Sequence, residues 1–229
     1  RSGVDLTWMV RFDDRFASLS AEDFVGGVLV ERLRARYVVV GEDFRFGKAQ
    51  RGDVGLLRAL ESAHGFEVVT VPAVTCRGER ISSSGIRARL AASDFDGAGR
   101  LLGRPFRMEG HVVRGQRLGR KLGYPTANLR IRAEPSPLQG VLAVYARIAH
   151  GPWLPGVANL GRRPVVDGRT ALLEVHFFDF DEDIYGEYIQ VDFIARLRGQ
   201  EKYARVDDLV AQMHRDADNA RSILTAGKS

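Results

Sequence analysis

A change in hydrophobic periodicity at Leu102–Pro105 limits the fold of this chain more than any other feature. Before it, apolar residues recur at helical spacing, interrupted by short apolar runs such as Tyr37–Val40. After it, apolar and polar residues alternate, as in Phe106–Val113, which is typical of half-buried strands. A glycine that ends a helix and a proline that starts an extended segment lie at the change itself. The pattern predicts two domains, 1–104 and 105–229, each long enough to bury a core.

The first domain alternates helices with short strands, which predicts an α/β fold with a parallel sheet covered by helices. Strands are expected at Val4–Val10, Tyr37–Val40 and Phe66–Val71, and helices within Asp13–Arg34, Asp53–His64 and Ala91–Leu102. The second domain has closely spaced strands with glycine turns, which predicts a small barrel or sandwich. Its strands are expected at Phe106–Val113, Gly140–Ala149, Gly156–Leu160, Thr170–Phe178 and Tyr188–Leu197, followed by a helix with one apolar face.

Composition excludes several classes of protein. The only cysteine is Cys76, so the chain has no intrachain disulfide and no cysteine metal cluster, which suits a reducing cytoplasm. No apolar run approaches the ~18 residues that span a membrane, and the first residues do not resemble a secretory signal. The net charge of +5 is spread along the chain rather than blocked. We therefore expect anionic small ligands such as nucleotides, and neither nucleic acid nor membrane.

The loop from Gly115 to Asn128 carries the residue types that bind nucleotide phosphates. Its glycines allow a backbone to bend closely around a ligand, and its cations suit phosphate. The glycines are Gly115, Gly119 and Gly123, and the cations are Arg117, Arg120 and Lys121. Pro125 favours an extended conformation, in which Thr126 and Asn128 point to the same side and offer two hard oxygens to Mg²⁺. Basic glycine-rich loops are also common solvated turns, and no Walker A pattern occurs here.

A glutamate on the fourth strand of the second domain is the candidate catalytic carboxylate. Leu173, Val175 and Phe177 alternate on one face, which places Glu174 and His176 on the other. Taken alone, a single glutamate on a half-exposed strand more commonly faces solvent.

Two stretches of the first domain are candidates for anion binding. Gly41–Lys48 follows the strand Tyr37–Val40, at the sheet edge where α/β proteins bind ligands. Ser82 and Ser83 begin a helix whose free N–H groups favour anions, with Arg87 one turn further on. An ordinary helix cap explains these serines equally well.

Three motifs in the second domain resemble those of riboflavin kinases. The first, Gly115 to Asn128, resembles their Pro-Thr-Ala-Asn motif. The second resembles their general-base segment and consists of Glu174-Val175-His176 ahead of Ile184-Tyr185-Gly186. The third, Arg196–Tyr203, resembles their flavin-closing segment. The resemblance implies a Greek-key antiparallel barrel with a C-terminal helix. It implies Glu174 as the base for the ribityl 5′-hydroxyl and Mg²⁺ on Thr126 and Asn128. Arg198 is a candidate for a phosphate or flavin contact, Tyr203 is a candidate for flavin binding, and we expect a structural role for His176. The ATP-binding residues would be Gly115, Gly119, Arg120, Lys121, Gly123 and Pro125.

The first domain resembles the adenylyltransferase module of bacterial bifunctional riboflavin kinase/FAD synthetases. The matching motifs are Val40–Gly47 and Ile81–Arg87, the latter with Ser84 where the family usually has Thr. The resemblance implies ATP contacts from Gly41, Asp43, Phe46, Gly47, Ser82, Ser83 and Arg87. The family's His-x-Gly-His motif is absent, and the chain starts with Arg1 rather than methionine. We therefore expect a truncated Rossmann-like nucleotidyltransferase domain whose adenylyl transfer is weak or absent.

The resemblance implies an enzyme that uses MgATP to phosphorylate riboflavin to FMN, from a parent that also converts FMN to FAD. The alternative is a non-catalytic barrel that binds nucleotide or RNA through its basic loops. Single-stranded nucleic-acid grooves usually interleave aromatic side chains with cations, and only Tyr124 lies in the basic loop. The alternative is therefore the weaker one.

Overall fold

The structure, a computed structural model, describes residues 3–115, 118–131, 137–162 and 171–226. The chain divides into two units, Arg1–Thr75 and Cys76–Ser229. Among the described residues, none of the helices combines the length and the apolar character needed to cross a bilayer.

The first unit contains a parallel strand pair with helices. Its elements are helices α1 (Asp14–Ala17) and α2 (Ala21–Asp23), a π-helix (Phe24–Arg32), strand β1 (Tyr37–Gly41), a 3-10 turn (Lys48–Gln50), helix α3 (Val54–His64) and strand β2 (Glu67–Val71). Ser20 caps α2 by accepting a hydrogen bond from the Asp23 amide at 2.9 Å. Strands β1 and β2 pair in parallel, as predicted, with Tyr37 opposite Glu67. The buried apolar residues of this unit include Val25, Val38, Leu57 and Phe66.

The predicted strand at Val4–Val10 is wrong. These residues have no regular secondary structure, and Leu6 and Met9 are 82% and 89% exposed. An alternating pattern forms a strand only where a neighbouring strand accepts its backbone hydrogen bonds. In the part of this unit that the structure describes, β1 and β2 pair only with each other.

The second unit begins with helices that share the core of the barrel. Strands β3 (Thr75–Cys76) and β4 (Glu79–Arg80) pair with each other and precede helices α4 (Ser83–Ala91) and α5 (Phe95–Leu102). The predicted helix Ala91–Leu102 is interrupted, because Ser93 has a φ of +63° and Asp94 starts a new helix by capping Gly97. Leu90 and Phe95 belong to the same buried cluster as the barrel strands. The predicted boundary between the domains 1–104 and 105–229 stays a prediction.

Six strands among the described residues form a closed antiparallel barrel. They are β5 (Arg107–Val113), β6 (Ala127–Ile131), β7 (Gly140–Ile148), β8 (Leu154–Arg162), β9 (Ala171–Phe177) and β10 (Tyr188–Arg198), with a short helix α6 (Leu118–Lys121) between β5 and β6. Their order around the barrel is β10-β5-β6-β9-β8-β7. Strand β10 returns beside β7 after the β7-β8-β9 meander, which is the Greek-key arrangement. The barrel was predicted, but strand β6 was not.

The C-terminal helix covers one side of the barrel. Leu129, Leu173 and Val175 are fully buried in the main core of this unit, so their neighbours along each strand face outward. Helix α7 (Val206–Ala226) packs on this outer face through Ala217, Ala220 and Leu224. Outward-facing side chains between the barrel and α7 are therefore shielded on two sides.

Candidate active site

Strand register brings the predicted catalytic residues into one row across the outer wall of the barrel. Asn128 is directly opposite Glu174, which is opposite Asn159 on the next strand. Asn159 is opposite Val141, and Val141 is opposite Arg198. Directly opposed residues in antiparallel strands project to the same face. The row crosses five of the six strands, and every member of it lines the same cavity.

This cavity has a volume of about 520 Å³, within the usual range for small-molecule sites. The segment after β10 and the buried face of α7 complete its wall opposite the row, with Lys202, Tyr203, Leu209, Met213, Asp216 and Ala217. The wall combines apolar side chains with a few convergent polar ones, as ligand sites commonly do. Thr126, Asn128 and Glu174 thus open onto one cavity, which the kinase hypothesis requires.

Thr126 and Asn128 also line a second, smaller cavity of about 60 Å³. Arg120, Pro125 and the segment Phe180–Tyr185 form much of its remaining wall. Asn128 is buried, and its Nδ2 donates to the Thr126 carbonyl at 3.3 Å. That bond uses the amide nitrogen of Asn128, a residue that lines both cavities.

The predicted phosphate loop passes close to Asn128. A Cβ added at Gly115 would lie 2.6 Å from Asn128 Nδ2, so only glycine leaves room for this amide. Gly119 lines the large cavity, and Gly123 has a φ of +82° at the turn after α6. The backbone of Lys121 lies in α6, whereas its side chain and the whole of Arg117 lie outside what the structure describes.

Arg198 is held by a residue that the sequence interpretation missed. Its Nε and Nη2 donate to the Asp216 carboxylate at 3.0 and 2.8 Å, and Gln212 donates to the same carboxylate at 2.9 Å. Burial opposes the charge of Arg198, but the hydrogen bonds and charge of Asp216 raise its pKa overall. The Arg198 guanidinium lies 5.8 Å from the centre of the Tyr203 ring. An aspartate on the apolar face of α7 was the signal that could have identified Asp216.

His176 supports the backbone beside Thr126. Its Nδ1 lies 2.9 Å from the Pro125 carbonyl, and because a carbonyl oxygen only accepts, Nδ1 carries the proton. Burial lowers the pKa of His176, partly opposed by this hydrogen bond. The ring also packs edge-on against Tyr124, whose hydroxyl lies 2.6 Å from His214 Nδ1 on α7. These contacts fit the structural role expected for His176.

The residues predicted for the adenylyltransferase site lie in both units. In the first unit, Gly41 ends β1, and Gly47 has a φ of +72° and lies against Ala21. Asp43 follows in the turn after β1. Phe46 is buried in the core and stacks on Phe44, so its ring has a packing role.

In the second unit, the Ser82 hydroxyl accepts a hydrogen bond from the Gly85 amide at 3.1 Å and caps α4. Ser83 and Arg87, in the first turns of that helix, are exposed. Nucleotide contacts from these residues and from those in the first unit stay predictions.

No group of three His, Cys, Asp or Glu side chains in the described residues converges on a possible metal position. A cation beside Thr126 and Asn128 would therefore not be held by a cluster of three such side chains in the described residues. The oxygens of Thr126 and Asn128 have the hard character that Mg²⁺ prefers. Mg²⁺ keeps several waters and substrate phosphates in its shell, so Thr126 and Asn128 fit it as partial ligands beside a bound nucleotide.

Comparison with known proteins agrees with these features. Residues 102–224 match the family model for riboflavin kinase, and residues 1–85 match that for FAD synthetase. The bifunctional riboflavin kinase/FMN adenylyltransferase of Escherichia coli K12 is 43% identical over 219 residues, covering 96% of this chain and 70% of the relative. The corresponding protein of Haemophilus influenzae is 38% identical over 226 residues, covering 99% of this chain and 73% of the relative.

A solved structure is also similar. The crystal structure of a macrolide-efflux protein from Streptococcus pneumoniae superposes with a TM-score of 0.64 at 35% identity, covering 92% of this chain and 67% of that one. The family matches support an enzyme rather than the non-catalytic nucleotide- or RNA-binding module. Fold, motifs and relatives agree, and the chain belongs to the bifunctional riboflavin kinase/FMN adenylyltransferase family.

Proposed function

We propose that the barrel unit transfers the γ-phosphate of ATP to the 5′-hydroxyl of riboflavin, with Glu174 as the general base. The observation that carries this assignment is the row Asn128–Glu174–Asn159 on the wall of one cavity. The proton of the hydroxyl passes to the Glu174 carboxylate as the ribityl oxygen forms its bond to the γ-phosphorus. The bond from that phosphorus to the bridging oxygen breaks, and ADP leaves with the electron pair.

Riboflavin takes the large cavity in this proposal. Val141, Val157, Leu209 and Met213 offer it apolar surface for a planar ring system. Arg198 and Tyr203 line the same cavity and, in this proposal, contact the flavin. Glu174 and Asn128 line the same cavity, so a ribityl chain directed along the row presents its terminal hydroxyl to the carboxylate.

The ATP phosphates lie on the other side of Thr126 and Asn128, against the loop Gly115–Gly123 and the small cavity. Arg120 brings a positive charge to that cavity, whose wall includes Pro125 and also the acidic residues Asp181, Glu182 and Asp183. Gly119 lines the large cavity. Thr126 and Asn128 would hold Mg²⁺, which when bound neutralises phosphate charge. Phosphoryl transfer depends mainly on positioning and charge neutralisation, so residues placed where two cavities meet are well located for it.

Substitution of the base tests this proposal. Glu174→Gln keeps the size of the side chain and removes its ability to take the proton, so kcat should fall by ~10²–10⁴ while ATP binding persists. Thr126→Ala should weaken magnesium-dependent ATP binding. Glu109→Gln, an exposed glutamate on β5 that does not line either described cavity, is the matched control. Wild-type turnover in Glu174→Gln would show that another group accepts the proton.

Adenylyl transfer needs a separate measurement. The relatives carry both activities in their names, and weak or absent FAD formation by this chain stays a prediction. Chromatographic separation of riboflavin, FMN and FAD after incubation with MgATP measures both steps. FMN without FAD is the expected result. We place the activity in the cytoplasm, which supplies ATP and keeps the single thiol of Cys76 reduced.

A further inference from the structure

We propose that Asn159 is a positioning residue that holds the Glu174 carboxylate in its reactive orientation. This inference rests on the proposed role of Glu174. Asn159 Nδ2 donates to Glu174 Oε2 at 3.2 Å. The two residues are direct partners across β8 and β9, so their Cβ atoms are held close by the backbone ladder.

This hydrogen bond gives the two oxygens of the Glu174 carboxylate different roles. Oε2 is occupied by the Asn159 amide, whereas Oε1 receives no hydrogen bond from the part of the chain that the structure describes. A carboxylate anchored at one oxygen loses rotation about its terminal bond. The other oxygen is then held towards the cavity, where the substrate hydroxyl must approach.

The orientation of Asn159 is itself held by its neighbour across the cavity wall. Gln200 Nε2 donates to Asn159 Oδ1 at 3.3 Å and lies 3.4 Å from the Leu160 carbonyl. Because Oδ1 accepts from Gln200, the amide nitrogen of Asn159 must face Glu174. A flipped amide would place oxygen against carboxylate and nitrogen against nitrogen.

Gly161 leaves the space that this arrangement needs. A Cβ at this position would lie 2.2 Å from Gln200 Nε2, closer than any side chain tolerates. The hydrogen-bond chain from Gln200 through Asn159 to Glu174 is continuous. Its residues come from the paired strands β8 and β9 and from the segment after β10, which follows about 40 residues later in the chain than Asn159.

The test is a double-mutant cycle in the full chain with Asn159→Leu and Glu174→Gln. Asn159→Leu should lower kcat by about 10- to 100-fold, the cost of one hydrogen bond to a charged group. The KM for ATP should stay within about threefold, because Asn159 lines the large cavity and not the small one. In the Glu174→Gln background the same substitution should change kcat by less than about twofold.

Asn159→Asp gives an independent signature. It keeps the shape of the side chain but places a second carboxylate against Glu174, which favours protonation of the pair. The acid limb of the kcat profile should move to higher pH, a shift that a purely structural defect does not produce. The matched control is Gln190→Leu, which removes another amide–glutamate contact, to Glu109, outside both described cavities and should leave kcat unchanged.

The outcomes separate the two proposals. If Glu174→Gln keeps wild-type turnover, the base assignment fails, and the role of Asn159 fails with it. If Glu174→Gln is inactive but Asn159→Leu has normal kcat, only the positioning role is overturned. An equal loss from Asn159→Leu in both backgrounds also overturns it. Should both Asn159 variants unfold on thermal melting, Gln200→Ala at an exposed residue decides: a several-fold lower kcat supports the inference, and wild-type kcat overturns it.

Discussion

The ion pair between Arg198 and Asp216 connects the cavity wall to the C-terminal helix, and its removal gives the most informative prediction. Asp216→Asn keeps the shape of the side chain but removes the negative charge. The side chains of Arg198 and Asp216 are 16% and 6% exposed, so the remaining cation would stay largely out of water. Asp216 also accepts from Gln212 within α7, so the substitution disturbs the helix and the barrel together.

The size of the effect follows from this burial. Removal of one partner from a buried ion pair costs about 3–5 kcal/mol, because the other charge remains uncompensated. We expect the lower end, since asparagine keeps one acceptor oxygen and the adjoining cavity admits water. With a urea m-value on the order of 2 kcal/mol/M, the unfolding midpoint should fall by about 1.5 M. Riboflavin affinity should fall as well, because Arg198 loses its fixed position.

Urea unfolding followed by tryptophan fluorescence measures the first effect. The chain has two tryptophans, and a Trp8→Phe background leaves Trp153 as the reporter of the barrel unit. Quenching of flavin fluorescence on titration measures the second effect. Asp192→Asn is the matched control, because Asp192 forms a similarly buried pair with Arg107 outside both described cavities. It should lose comparable stability and bind riboflavin normally.

A double variant separates stability from binding. Arg198→Met with Asp216→Leu removes both charges, and well-packed apolar replacements for a buried pair are often neutral in stability. We expect stability within about 1 kcal/mol of the wild type, with riboflavin binding still weak. An Asp216→Asn protein with an unchanged urea midpoint and unchanged riboflavin affinity would refute the reasoning.

Two further predictions concern the loop and its support. Gly115→Ala should weaken MgATP binding and lower turnover by about tenfold, because the added methyl group would overpack buried Asn128 at a cost of about 1–3 kcal/mol. Gly110→Ala is the control: an added Cβ there would have its nearest neighbour at 3.6 Å, so this variant should be neutral in the same assay. His176→Asn should remove a pH dependence of stability. Since burial lowers the pKa of His176, the unfolded chain binds a proton more readily, and the wild type should lose stability as pH falls from about 6.5. The urea midpoint should therefore change less between about pH 7 and pH 5 in the variant than in the wild type. An equal change in both proteins would show that His176 is not the source of this pH dependence.

Much of the fold was predictable because it depends on local chemistry. Ser20 and Ser82 are at helix starts because their hydroxyls cap neighbouring amides. The alternation around Glu174 placed Leu173 and Val175 inside the barrel and the glutamate outside, since successive side chains of a strand point to opposite faces. The strand β6 was missed because it has only five residues and follows a loop whose composition favours turns.

The amino-acid sequence by itself determined which chemical groups the site contains. They are a glycine-rich basic loop, two side-chain oxygens shortly after Pro125, and a glutamate whose side chain faces outward from its strand. Only the tertiary structure decided that Asn128, Glu174 and Asn159 form a row, and that Asp216 holds Arg198. Strand register in a closed barrel arises from pairing between segments far apart along the chain. Local periodicity therefore shows which way a residue faces, whereas the neighbour that it faces depends on how the whole barrel closes.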